Sequence, residues 1–139
     1  MLHNNMINEL ADKLLVYLKE SEKKELECTV RQNKISIYPR NSVGNPNTDI
    51  TARPTIECRL DKKKNTIILS WLYLITTNKG IGSEVIKIIL AFAKAYDIEA
   101  FAIRNIDNNN KAMLKMASKF DFEIIKDNVY ESFSLYLHL

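Results

Sequence analysis

Thr66-Ile67-Ile68-Leu69-Ser70-Trp71-Leu72-Tyr73-Leu74-Ile75 runs directly into Thr76-Thr77-Asn78-Lys79-Gly80-Ile81-Gly82-Ser83. The first ten residues carry no charge, no glycine and no proline, the composition of a central strand covered on both faces. Helical spacing then takes over in 84–96, with Val85, Ile89, Phe92, Ala93 and Tyr96 apolar, so this helix is expected to be well buried. A buried strand, a glycine turn and a buried helix in succession point to an α/β domain. Two glycines let the backbone bend sharply and approach a ligand with no Cβ in the way. The first amides of the following helix lack intrahelical acceptors, and the helix dipole adds partial positive charge there. Such a turn can hold a pyrophosphate, with Lys79 and Ser83 as extra donors.

Two familiar phosphate motifs do not fit. A P-loop ends in Gly-Lys-Ser/Thr, whereas Gly82 is followed by Ser83-Glu84. A dinucleotide fingerprint needs a third glycine three residues after the second, and that position is Val85. Alone, Gly-x-Gly reads equally as an anion cradle or as a tight turn that packs a helix on a strand.

Upstream, Ile7, Leu10, Ala11, Leu14, Leu15 and Leu18 form the stripe of an amphipathic helix within 1–25. Extended pieces follow at 26–32, 34–39 and 55–60, rich in β-branched residues. Between them, 41–54 holds Gly44, Pro46 and Pro54 and reads as a long irregular loop, of the kind that is often functional. Downstream, 99–106 is a strand and Asp107 to Asn110 offers helix caps. Ala112, Met113, Met116, Ala117 and Phe120 share one face of a second helix, and strands close the chain at 122–126 and 130–139. The order implies three layers on a mixed sheet, and one domain over 1–139.

Composition limits the function classes. Hydrophobic residues make up 46% and charged residues 27% of 139, so most of the chain is expected to fold. A net charge of +3 is too small to argue for nucleic acid without a clustered face. The run Lys62-Lys63-Lys64, followed by Asn65, reads as a solvated hairpin tip, so nucleic-acid binding is not expected. The two cysteines, Cys28 and Cys58, lack metal or disulfide spacing and suit packed strand positions in a reducing compartment. No metal is expected. The start, Met-Leu-His-Asn-Asn-Met, does not read as a signal peptide, and no apolar stretch reaches the ~20 residues of a membrane span. A cytoplasmic protein is the expectation.

Context gives the glycine turn a chemical meaning. Thr77 to Ser83 resembles the Arg/Gln-x-x-Gly-x-Gly/Ala pyrophosphate loop of the GNAT N-acetyltransferase family. Trp71-Leu72-Tyr73-Leu74 resembles the end of that family's central strand, and Asn110 to Phe122 resembles its Asn-x-x-x-Leu-x-x-x-x-x-Leu-Gly-Phe helix. The resemblance covers about residues 26 to 139 in element order. It implies a GNAT-like acyl-CoA N-acyltransferase fold: three layers, a mixed and mostly antiparallel sheet, helices on both faces, and an acyl-CoA-binding core in 66–126.

Acetyl-CoA would then be the co-substrate and an amine the acceptor. Backbone groups of Leu74 and Ile75 would pair with the pantetheine arm, which lies like an extra strand where the sheet splays. Amides of Lys79, Gly80, Ile81, Gly82 and Ser83 would hold the pyrophosphate, and Asn110 would hydrogen-bond the pantetheine amides. Three departures stand out: Thr77 replaces Arg or Gln, Asp121 replaces Gly, and Ala117 stands where many members place a Tyr that protonates the departing thiolate. A catalytically inactive CoA-binding or regulatory module of the same fold is the alternative reading.

Amine acylation needs a base. Glu57, alternating with Ile56 and Cys58, is the candidate base, and Tyr130 and Ser118 are candidate acids. A homodimer through an exposed last strand is a further expectation.

Overall fold

A computed structural model describes residues 2–40, 54–72, 80–127 and 131–139. The elements are α1 (Leu2–Glu22), β1 (Leu26–Arg31), β2 (Lys34–Pro39), β3 (Ile56–Asp61), β4 (Thr66–Leu72), α2 (Ile81–Ala95), β5 (Ala100–Asp107), α3 (Lys111–Lys119), β6 (Glu123–Asp127) and β7 (Ser132–His138). The strands form one sheet in the order β1-β2-β3-β4-β5-β7-β6, in which only β4 and β5 run parallel. This is the mixed, mostly antiparallel sheet expected from sequence. Every expected element within the described residues is present.

One register line shows how the core is assembled. Val30, Ile35, Cys58, Leu69, Ile103, Leu135 and Ile124 are successive cross-strand partners from one edge to the other. Ile35, Cys58, Leu69 and Leu135 in that row are fully buried. Cross-strand partners share a face, and the helices cover this one. α1 lays Leu10, Leu14 and Leu18 over β1 and β2, each of them without exposed surface. α2 packs beside α1 and over β5, and the Tyr96 phenol donates to the Glu9 carboxylate across the helix pair. That bond raises the Tyr96 pKa, with slight desolvation and the Glu9 charge adding to it. Leu114 of α3 faces a gap that Ile124 and Phe133 also line. At about 1.5–3 kcal/mol for each fully buried aliphatic side chain, this layer dominates folding.

The opposite face follows from the same alternation. Its row reads Arg31, Lys34, Arg59, Ile68, Ala102, Tyr136 and Glu123, and no helix covers it among the described residues. Ile68 and Ala102 are nonetheless buried.

The Lys62–Lys64 run is the β3–β4 hairpin tip, as expected; Asp61 accepts from the amides of Lys63 and Lys64. One expectation is corrected. The last strand, β7, lies between β5 and β6, so the free edge at this end is β6. Its Ile124 and Ile125 are 42% and 49% exposed. No described helix is long and apolar enough to cross a membrane.

Candidate active site

The parallel ladder between β4 and β5 stops early, and the cause is visible on both strands. Pairing runs from Thr66–Ala100 to Leu69–Ile103 and ends, although β4 continues to Leu72 and β5 to Asp107. On β4, Cys58 pairs with Leu69 while Glu57 pairs with Trp71, so Ser70 is an extra residue against β3. On β5, Ile103 pairs with Leu135 while Ile106 pairs with Phe133, which sets Arg104 and Asn105 against one residue of β7. Asn105 takes φ 58°, the left-handed region suited to such a bulge. Each bulge bends its strand, and the two strands part.

The gap is a cleft of about 270 Å³, lined by Ser70, Trp71 and Leu72 on one side and by Arg104, Asn105 and Ile106 on the other. Asn110 and Met113 of α3 close its end. Two strand edges without a ladder partner leave backbone donors and acceptors facing the space, which suits an extended amide-bearing ligand.

Beyond the cleft lies the start of α2. Gly80 is the N-cap at φ 73° and ψ 14°, and no side chain caps the helix. The first intrahelical bond runs from the Glu84 amide to the Gly80 carbonyl at 3.1 Å. The amides of Ile81, Gly82 and Ser83 therefore have no acceptor within the helix. The helix begins three residues earlier than the apolar spacing indicated, so Ile81, Gly82 and Ser83 belong to its first turn. Ile81 is buried and anchors that turn.

Sequence reasoning missed one cation here. Lys119, in the last turn of α3, donates from Nζ to Ser83 Oγ at 3.3 Å. An ammonium thus stands beside the bare amides of α2. Nothing in the spacing of a lysine 36 residues away signals this contact; only the packing of α3 beside α2 creates it.

The expected site residues divide by position. Leu74, Ile75, Lys79 and Tyr130, like Thr77, lie outside the described residues. Asn110 lines the cleft and caps α3 as well, its Oδ1 accepting from the Met113 amide at 3.1 Å. Its side-chain amide N–H groups are left for a ligand. Glu57 stands directly opposite Trp71, on the helix-free face beside the cleft, and its carboxylate pairs with Lys34 at 2.8 Å. Ser118 is exposed on α3 and does not line the cleft. Ala117 is 2% exposed and faces the core, so no hydroxyl enters from that position.

The departure at Asp121 has a clear consequence. Asp121 adopts φ 61°, and the Phe122 amide closes on the Ala117 carbonyl at 2.9 Å. The turn keeps a left-handed residue without a glycine, which Asp tolerates better than most side chains.

Comparison with solved structures identifies the fold. No family model matches the chain, and no curated protein matches it significantly in sequence. The PaiA N-acetyltransferase of Thermoplasma acidophilum, solved with coenzyme A, superposes over 92% of this chain and 70% of its own, at 16% identity and TM-score 0.51. The chain has the GNAT acetyltransferase fold. A NatC complex bound to a Gag peptide and CoA covers 91% of both chains at 14% identity and TM-score 0.51. A domain from Methanocaldococcus jannaschii covers 78% of this chain and 69% of its own, at 15% identity and TM-score 0.53. In this GNAT fold, the parted strands and the start of α2 are the two parts of the candidate site.

Proposed function

We propose that this protein is a divergent GNAT member that transfers an acetyl group from acetyl-CoA to an amine, in the cytoplasm. The observation that carries this reading is a pair of features: the cleft between bulged β4 and β5, and the uncapped start of α2 beside Lys119. A dianionic pyrophosphate fits the helix start. A pantetheine arm, with its two amides, fits between the strand edges and Asn110. The CoA-bound state of similar folds supports the same co-substrate.

In the reaction the neutral amine attacks the thioester carbonyl carbon. The N–C bond forms, the C–S bond breaks, the nitrogen gives up a proton and the CoA thiolate gains one. A backbone N–H on the side of β4 that parts from β5 would meet the oxyanion. Glu57, held by Lys34 on the helix-free face, is the base this reading favours, directly or through water. The acid falls to Tyr130 or solvent, since Ser118 does not line the cleft and Ala117 has no hydroxyl.

The buried Ala117 favours a second reading, a CoA-binding module without turnover. Both readings require that acetyl-CoA raise the melting temperature, because a ligand that binds only the native state stabilises it. An unchanged melting temperature at millimolar acetyl-CoA would reject both. Thiol release with any amine selects the enzyme.

A further inference from the structure

The cleft carries one charge of each sign. Among the described residues that line it, only Arg104 and Asp107 are ionisable. Both are exposed, whereas Ile103 and Ile106, the residues just before them, are buried. Asp107 pairs with Ser132, which is in phase with Tyr136 of the helix-free face. Arg104 lies two residues on from Ala102, of that same face, at the β5 bulge.

The two groups do not neutralise each other. No ion pair joins them, and Arg104 makes none with any other described residue. Asp107 commits one oxygen, Oδ1, which accepts from the Asn109 amide at 2.8 Å. Its Oδ2 has no partner among the described residues. Glu57, beside the cleft, is already matched by Lys34 at 2.8 Å. A guanidinium and a carboxylate are thus left unpaired, three residues apart on one strand. At ~3.4 Å per residue their Cα atoms lie at most roughly 10 Å apart, a gap that the long arginine stem largely spans.

Asn110 and Met113 of α3 close the cleft on the side of the helix layer. A second substrate reaching the thioester has the mouth on the helix-free face, past Trp71, Arg104 and Asp107.

We infer that the acceptor is a free α-amino acid, its ammonium held by Asp107 and its carboxylate by Arg104. The inference rests on the proposed acetyl transfer and names its substrate class. A zwitterion satisfies both charges of the cleft at once. A polyamine would set a second cation against Arg104, and a polyanionic acceptor would set an anion against Asp107, so selection works in both senses. The guanidinium fork fixes the direction of the carboxylate as well as attracting it. In the transfer, the ammonium gives up one proton before attack and the nitrogen a second as the N–C bond forms. The C–S bond breaks, one of those protons ends on the CoA thiolate and the other in water.

The test uses the full chain with acetyl-CoA and a panel of acceptors: the standard amino acids, their α-carboxamides, a Ser-rich peptide and spermidine. Thiol release is expected to show at least one amino acid with kcat/KM about tenfold or more above its carboxamide, because a carboxamide leaves the guanidinium unpaired. Arg104→Gln should raise the KM of that amino acid about tenfold and leave its carboxamide as it was; a merely structural arginine would affect both alike. Asp107→Asn, whose Oδ1 can still accept from Asn109, should weaken the acid and the carboxamide together without lowering the melting temperature. Lys13→Gln on α1 leaves the preference in place.

Trp71, the chain's single tryptophan, lines the cleft and reports amino-acid binding to the CoA-loaded protein by fluorescence even if turnover is slow. A panel in which no amino acid turns over or changes that fluorescence overturns the inference. So does a carboxamide used as well as its acid, better use of spermidine or the peptide than of any amino acid, or an unaltered preference in Arg104→Gln. If acetyl-CoA itself gives no thermal shift, it is the acetyl-transfer reading that fails, and this inference falls with it.

Discussion

Gly80 and Gly82 look interchangeable in sequence, yet the backbone asks different things of them. Gly80 sits at φ 73°, a conformation that costs a β-branched residue about 1–3 kcal/mol, although a Cβ there would meet nothing within 4 Å. Gly82 lies within the first turn of α2 and takes no positive φ. Gly80→Val is therefore expected to lower the melting temperature. Gly82→Phe should melt like the parent, because replacing a helical glycine removes an entropic cost, yet lose at least tenfold in acetyl-CoA affinity by covering the bare amides. Equal affinity in Gly82→Phe, measured by calorimetry, would remove the helix start from the site.

The two thiols diverge in the same way. Burial pushes Cys58 up to about 12, and burial followed by the Asp12 charge raises Cys28. At pH 9, iodoacetamide should label Cys28, which is half-buried, and spare Cys58 until the protein unfolds. A raised folded-state value means that Cys58 contributes stability below its unfolded pKa of about 9. That contribution declines as pH climbs from 9 toward 12.

Among the elements, α3 joins the candidate site to the stability of the fold. Asn110 caps the helix and lines the cleft, so Asn110→Ala should cost about 1 kcal/mol in denaturant unfolding and also weaken CoA. Asn110→Ser, which keeps a capping oxygen, should recover the stability and leave the CoA defect. Equal affinity in both variants would make the residue purely structural.

The elements also show what could be read in advance. Lys34–Pro39 was legible to the residue because Ile35 and Ile37 alternate with polar neighbours and turn residues bound the strand. Glycine, apolar run and helical spacing likewise fixed the order β4, turn, α2. The bulges were not legible. Ser70 and Asn105 become extra only when their partners on β3 and β7 are known. For the same reason Lys119 escaped notice, and so did the edge position of β6, because insertion of β7 beside β5 leaves no local trace.

For the molecule as a whole, the sheet is lopsided in chemistry. One face is apolar under α1, α2 and α3, and the other carries charged residues of both signs around buried Ile68 and Ala102. Helix-side burial holds the two halves of the sheet together where hydrogen bonds between β4 and β5 have lapsed. The lapse in pairing has a measurable result in deuterated water. Backbone protons on the gap side of Ser70 to Leu72 and of Arg104 to Ile106 should exchange quickly in the free protein, while those of Ile67 and Phe101 exchange slowly. A pantetheine chain seated as a surrogate strand would slow the fast set and leave the slow set as it was. The cleft would then record its own occupancy, amide by amide, with or without turnover.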